Sequence, residues 1–162
     1  MSIKTYGEAI LRKKVEPVTS FDGELAHIAA QMKKTMQEVN GVGLSANQVG
    51  FDKALFIVKL SDETYAFVNP ELTPLSNETN KTEEGCLSIP GVWVDVERYL
   101  KVRLSAKNLE GETIELELEG HLARVIQHEV DHLAGVLIID RIGPDERRRI
   151  ADQLEEIKNK AS

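Results

Sequence analysis

The sequence predicts an α+β fold: one domain over residues 1–162, with antiparallel or mixed β-sheets packed around a central helix, and further helices toward the N- and C-terminal ends. Three observations predict it. An apolar stripe at helical spacing near the start gives way to a run of β-rich segments, and the helical pattern returns from Leu122 onward. Strands and helices are segregated along the chain, which excludes the alternating pattern of a doubly wound parallel sheet. No repeat, low-complexity tract or Pro/Gly/Ser linker divides the chain.

After an irregular opening, Leu25, Ile28, Ala29, Met32, Met36 and Val39 recur on one face of a helix. Ser20 or Asp22 can cap it, and Asn40-Gly41 can stop it. Ala54 to Lys59, Tyr65 to Val68, Trp93 to Glu97 and Val102 to Ala106 have the β-branched and aromatic content of strands. Glu110-Gly111 turns the chain into Thr113 to Glu119, where Ile114, Leu116 and Leu118 alternate with glutamates as in a strand with one wet face. Leu122, Val125, Ile126, Val130 and Leu133 then form a helical stripe that ends at Gly135. A short strand is expected at Val136 to Ile139. Pro144 opens a final helix, with Ile150, Leu154 and Ile157 on its apolar face.

Twenty basic against 27 acidic residues leave a net charge of −7, which argues against a nucleic-acid surface as the main function. The opening, MSIKTYGEAILRKKVEPV, lacks the apolar core of a signal peptide, and runs such as Val136 to Ile139 are too short to span a bilayer. The single cysteine, Cys86, excludes an intramolecular disulfide. A cytoplasmic, reducing location is the expectation.

Three segments carry chemistry. Gln127-His128-Glu129-Val130-Asp131-His132 contains H-E-x-x-H. On a helix, positions four apart lie about 40° apart around the axis and about 6 Å along it, so two imidazoles there can reach one cation. Glu129 projects near that cation and can take a proton from a water held on it. Apolar neighbours argue that this helix is buried, where unpartnered His, Glu and Asp side chains are costly. The third ligand is open. A third histidine is absent, since Ile138 stands where H-E-x-x-H-x-x-G-x-x-H requires one; Glu155 and Glu156 read more simply as surface. Cys86 is the better candidate, because a thiolate suits Zn²⁺ or Fe²⁺. A lone cysteine nonetheless packs more often as a small buried apolar residue. Cys86 sits in Glu83-Glu84-Gly85-Cys86-Leu87-Ser88-Ile89-Pro90-Gly91, which reads as a bent loop with exposed main chain. The third segment, Gly41 to Gly50, places two glycines close before Gln48, an uncharged amide donor.

In this order, Gly-Val-Gly-Leu-Ser-Ala-Asn-Gln at 41–48, Glu-Gly-Cys-Leu-Ser at 84–88 and Gln-His-Glu-Val-Asp-His-Leu at 127–133 resemble the three signatures of the peptide deformylase family. The resemblance covers nearly the whole chain, including Leu11-Arg12, Pro17-Val18 and Asn69-Pro70-Glu71. It implies a hydrolase that removes the formyl group from the N-terminal formylmethionine of nascent polypeptides and releases formate. It implies that Cys86, His128 and His132 hold a divalent metal, natively Fe²⁺, with Ni²⁺, Co²⁺ or Zn²⁺ as substitutes. Glu129 would be general base and acid, and the Gln48 side chain and Leu87 N–H would stabilise the oxyanion. Main-chain groups at Val42, Gly43 and Gly85 would align the formylmethionyl peptide as an added strand, with Arg124 and Val125 lining the methionine pocket. Ser45 and Asn47 depart from the signature, which usually reads Leu-Ala-Ala-Pro-Gln. Arg147 to Arg149 either face solvent or touch the ribosome transiently.

Two other readings compete: an H-E-x-x-H peptidase, disfavoured by the third-ligand pattern, and a metal-bound peptide-binding module. A binder would need neither Glu129 nor Gln48.

Overall fold

A computed structural model describes residues 1–161. Seven strands form two sheets. β1 (Gly43–Ser45), β2 (Leu55–Leu60), β3 (Glu63–Pro74), β6 (Lys101–Lys107) and β7 (Thr113–Glu119) make a sheet in the order β1-β2-β3-β6-β7. β4 (Thr79–Cys86) and β5 (Ile89–Tyr99) make a separate hairpin. Every strand pairing among the described residues is antiparallel, so the sheets are not mixed.

Helix α1 (Gly23–Glu38) begins where expected, with the Asp22 carboxylate accepting from Leu25 N–H. It packs on one face of the large sheet, its Leu25, Ile28 and Met32 meeting Leu55 and Ile57 of β2. The alternate β2 residues, Phe56 and Val58, face the other way and pack with Ile126 and Leu133 of α2 (Gly120–Leu133). Covered on both faces, β2 reads as four consecutive apolar residues with no polar alternation. A third cluster joins Val92, Val94 and Val96 of β5 to Leu137–Ile139 and to Ile150 and Leu154.

Three elements differ from expectation. Val136 to Ile139 is not a strand: Leu137, Ile138 and Ile139 are all buried under the hairpin and lead into a 3-10 turn, Ile138–Asp140. Their β-branched character serves burial rather than pairing. The segment read as a loop around Cys86 is the end of β4, a two-residue turn at Leu87-Ser88 and the start of β5, with a register shift between Gly85 and Cys86. The last helix is two, α3 (Pro144–Arg149) and α4 (Ala151–Ala161), divided at the buried Ile150.

The N-terminal segment runs as an arm across the molecule. Its N–H groups at Lys4, Tyr6 and Val15 donate to the carbonyls of Gln48 (2.6 Å), Ser88 (2.8 Å) and Leu133 (3.0 Å). The arm also passes close over the end of α2, where a side chain on Gly135 would place a carbon 2.6 Å from the Arg12 carbonyl oxygen. Gly135 has φ +78°, so both space and backbone require glycine.

Hairpin and helix are joined by buried charge. Arg98 of β5 donates twice to Glu84 of β4 (3.0 Å each) and once to Asp131 of α2 (2.5 Å). Gln127 of α2 adds a two-way bond to the Tyr99 backbone, at 3.0 Å and 2.8 Å. Arg98 is 4% exposed, so removing it takes a buried cationic partner from Glu84, which keeps Arg124 and His128, and from Asp131, which keeps Arg141. Arg98→Ala is expected to lose about 3–5 kcal/mol in urea unfolding; a loss below about 1 kcal/mol would show that the network is not a structural tie.

Candidate metal centre

Helix α2 is buried almost all round, because the large sheet covers one side and the hairpin the other. Its buried positions are therefore polar as well as apolar: Arg124, Gln127, Glu129 and His132 join Ala123, Ile126 and Leu133. The one-turn spacing of His128 and His132 brings their rings together, with Nε2 atoms 3.2 Å apart. The hairpin supplies the third group. Its tight turn after Cys86 puts Sγ 3.2 Å from His132 Nε2. Among the described residues, Cys86, His128 and His132 are the cluster of this kind, with donor atoms all within 4.8 Å of one another. Ile138 lies in the core, and Glu155 and Glu156 are exposed on α4, which removes the other third-ligand candidates.

The donor set fits a metal ion. Ligands about 2.0–2.3 Å from one tetrahedral ion stand roughly 3.3–3.6 Å apart, close to the spacing found. A sulfur and two imidazole nitrogens suit Zn²⁺ and Fe²⁺ alike. His128 Nδ1 is bonded to Glu84 Oε1 at 3.0 Å, which turns its Nε2 toward the cluster. The surroundings favour positive charge there. Burial opposes protonation of His128, but its bonds with Cys86 and Glu84 outweigh this and raise it to about 10. His132, more deeply enclosed and beside that charge, is held well below the usual histidine range.

Glu84 was not singled out by the sequence reading, yet it is the most connected group in the site. Besides His128 and Arg98, it accepts from Arg124 Nη1 at 2.6 Å. Burial opposes its charge, but His128 and Arg98 prevail and lower it to about 2. The signal was present: Val92, Val94, Val96 and Arg98 alternate on the buried face of β5, so Arg98 required a buried partner.

Glu129 is 3% exposed, and its Oε1 has no hydrogen-bond partner. Burial pushes its carboxyl up to about 7. Gly43 makes room for it, since a side chain there would put a carbon 2.6 Å from Glu129 Oε2. Gln48 lies in a 3-10 turn, Ala46–Val49, with its Oε1 held by Ser45 N–H and Oγ (3.0 Å each). Its Nε2 therefore faces Ser88 Oγ (3.1 Å) and Cys86 Sγ (3.7 Å).

These groups open onto a cleft of about 500 Å³. Gly43, Gly85, Leu87, Arg124 and Val125 line it, as do His121 and Trp93, which the sequence reading did not include. Trp93 crosses over Gly85, where any side chain would collide with its ring at 2.5 Å. The Arg124 guanidinium turns away from the cleft to Glu84, Val96 O and Asn80. β1 is an edge strand. The Val42 carbonyl accepts from Lys59 N–H (2.9 Å) on the β2 side, so by strand alternation the outward main-chain groups are those of Gly43. The Val42 side chain is half exposed at the rim.

Comparison with known proteins agrees with this arrangement. A family model described as polypeptide deformylase matches residues 1–148. A peptide deformylase of Thermotoga maritima is 44% identical over 155 residues, covering 96% of this chain and 94% of its own. The structure superposes on Arabidopsis thaliana peptide deformylase 1B with a TM-score of 0.94 and 34% identity, covering 99% of this chain and 91% of that one. For the peptide deformylase of Thermus thermophilus the values are 0.92 and 36%, with coverage of 99% and 98%. With a matching fold, a family model over residues 1–148 and relatives aligned over nearly their full length, the chain belongs to the peptide deformylase family.

Proposed function

We propose that the enzyme removes the formyl group from the N-terminal formylmethionine of nascent polypeptides, using Glu129 as the proton-transfer group. The observation that carries this reading is the buried Glu129 carboxylate, its Oε1 without a hydrogen-bond partner, beside a convergent Cys86–His128–His132 cluster on a peptide-sized cleft. Cys86, His128 and His132 would hold one divalent ion, Fe²⁺ natively and Ni²⁺, Co²⁺ or Zn²⁺ as substitutes. Such an ion supplies Lewis acidity, drawing charge from the formyl carbonyl and making water acidic enough to lose a proton near neutral pH.

The chain's own groups do the rest. A carboxyl near 7 can both accept a proton from water and return it to the departing amine at physiological pH. Gln48 Nε2 and the Leu87 N–H donate to the carbonyl oxygen as it gains negative charge. The Gln48 amide is already fixed by Ser45, so no reorientation is needed during reaction. The outward main chain of Gly43, opposite Gly85, accepts the peptide as a strand on the β1 edge. Val125, the Arg124 stem and the Val42 side chain bound the methionine side chain.

The reading places the enzyme in the cytoplasm, where reducing conditions keep the lone thiol available as a ligand. A ribosome contact through Arg147–Arg149 has less support. Arg147 donates to Ile139 O (2.8 Å), Arg148 pairs with Asp145, and Arg149 holds Glu146 (2.9 Å) and Trp93 O (3.1 Å).

Anaerobically prepared protein is expected to release formate from formyl-Met-Ala-Ser; cleavage inside the peptide without formate would overturn the assignment. Glu129→Gln should retain its metal yet lose about 10²-fold or more in kcat, and a variant near wild-type activity would remove Glu129 from proton transfer. Cys86→Ser should lower the metal bound per chain by elemental analysis. Unchanged content would exclude the sulfur as a ligand.

A further inference from the structure

The two histidines of the cluster are anchored differently. His128 is held at its far nitrogen, Nδ1, by the Glu84 carboxylate at 3.0 Å. His132 has no such anchor: its Nδ1 is buried and meets no acceptor. Its ring direction therefore depends on where the main chain of the last turn of α2 is held. That main chain is gripped by one side chain, Asn47, whose Nδ2 donates to the His132 carbonyl oxygen at 2.6 Å across 85 positions of sequence. Asn47 is 0% exposed, and its Oδ1 has no partner either.

Satisfying an orphan carbonyl does not account for Asn47, because Gly135 N–H already donates to the same oxygen at 3.0 Å. Enclosing an amide with one end unpartnered is costly, and a purely apolar residue would fill the space without that cost. What Asn47 adds is a direct link between two working parts. It lies next to Gln48 in the 3-10 turn, and its bond reaches the residue that carries the His132 ring.

We propose that Asn47 is a positioning residue, whose side-chain amide fixes the His132 turn of α2 against the turn that presents Gln48. The proposal rests on the functional reading above, in which His132 is a ligand and Gln48 a donor. Asn47 takes for His132 the place that Glu84 takes for His128, acting through the backbone instead of the ring. Losing it lets the helix end drift from the Gln48 turn, so both metal retention and the oxyanion contact weaken. Peptide binding along β1 does not pass through this bond and is left intact.

The test uses full-length protein loaded with Ni²⁺, measuring metal release to EDTA together with kcat, KM and Tm. Asn47→Ala is expected to release the ion about 10-fold faster or more, the usual range for losing an outer partner of a metal ligand. Its kcat should fall several-fold while KM for formyl-Met-Ala-Ser stays within about twofold, as for an interaction made in the transition state. Asn47→Ser, which opens a smaller cavity, is the second variant and should shift the same way. Leu25→Ala, in the core under α1, is the control for lost stability alone and should release metal at the wild-type rate. Wild-type release rates in both Asn47 variants would overturn the proposal, as would equally fast release from Leu25→Ala. Wild-type protein that binds no Ni²⁺ would overturn the functional reading itself.

Discussion

Glu84 is a carboxylate taken almost wholly out of water and surrounded by Arg98, Arg124 and His128. A charge in that position is tolerable only because every side of it is answered by a donor. The same bonds tie the β4–β5 hairpin to α2. Beside them, Arg98–Asp131, the Arg124 bonds to Val96 O and Asn80, and the Gln127–Tyr99 pair set the spacing between the hairpin that carries Cys86 and the helix that carries the histidines. Apolar contact tolerates sliding, whereas a forked guanidinium on a carboxylate does not. Glu84 is thus both a seam between the hairpin and α2 and the orienting partner of His128.

This arrangement explains why α2 looks unlike an ordinary amphipathic helix. Arg124, Gln127, His128, Glu129 and His132 are turned inward, while Leu122, part of the expected apolar stripe, is exposed. Glu129 stands apart among the inward carboxylates, since no donor answers its Oε1. Burial without a partner raises its proton affinity, and a nearby arginine bonded to it would have removed that property. The charges of Arg98 and Arg124 are directed to Glu84 instead.

Much of this was legible in the residues. Helix α1, with its Asp22 cap, and strand β7, with its alternating glutamates, follow from local pattern because each has one wet face. The pattern failed where composition and burial part company. Leu137–Ile139 has strand composition but no strand partner, and β4 is polar along most of its length because only Glu84 of its side chains is buried. The metal cluster was readable because ligand chemistry leaves few residue types to choose from. The charged seam was harder to see, since Glu84 and Arg98 lie 14 positions apart and meet only through the hairpin register. Arg98 falling in phase with three valines was the one local sign of it.

The arm formed by the first residues has a consequence for how each copy of the enzyme comes into being. Lys4, Tyr6 and Val15 leave the ribosome early, but the carbonyls that receive them belong to Gln48, Ser88 and Leu133. The last of these is made after Cys86 and just after His132. Until then Val15 has no carbonyl to close on, the hairpin lacks the end of the helix it docks against, and the cluster of Cys86, His128 and His132 is incomplete. An enzyme proposed to work on growing chains therefore cannot assemble its own cluster until the helix that carries His128 and His132 has been made.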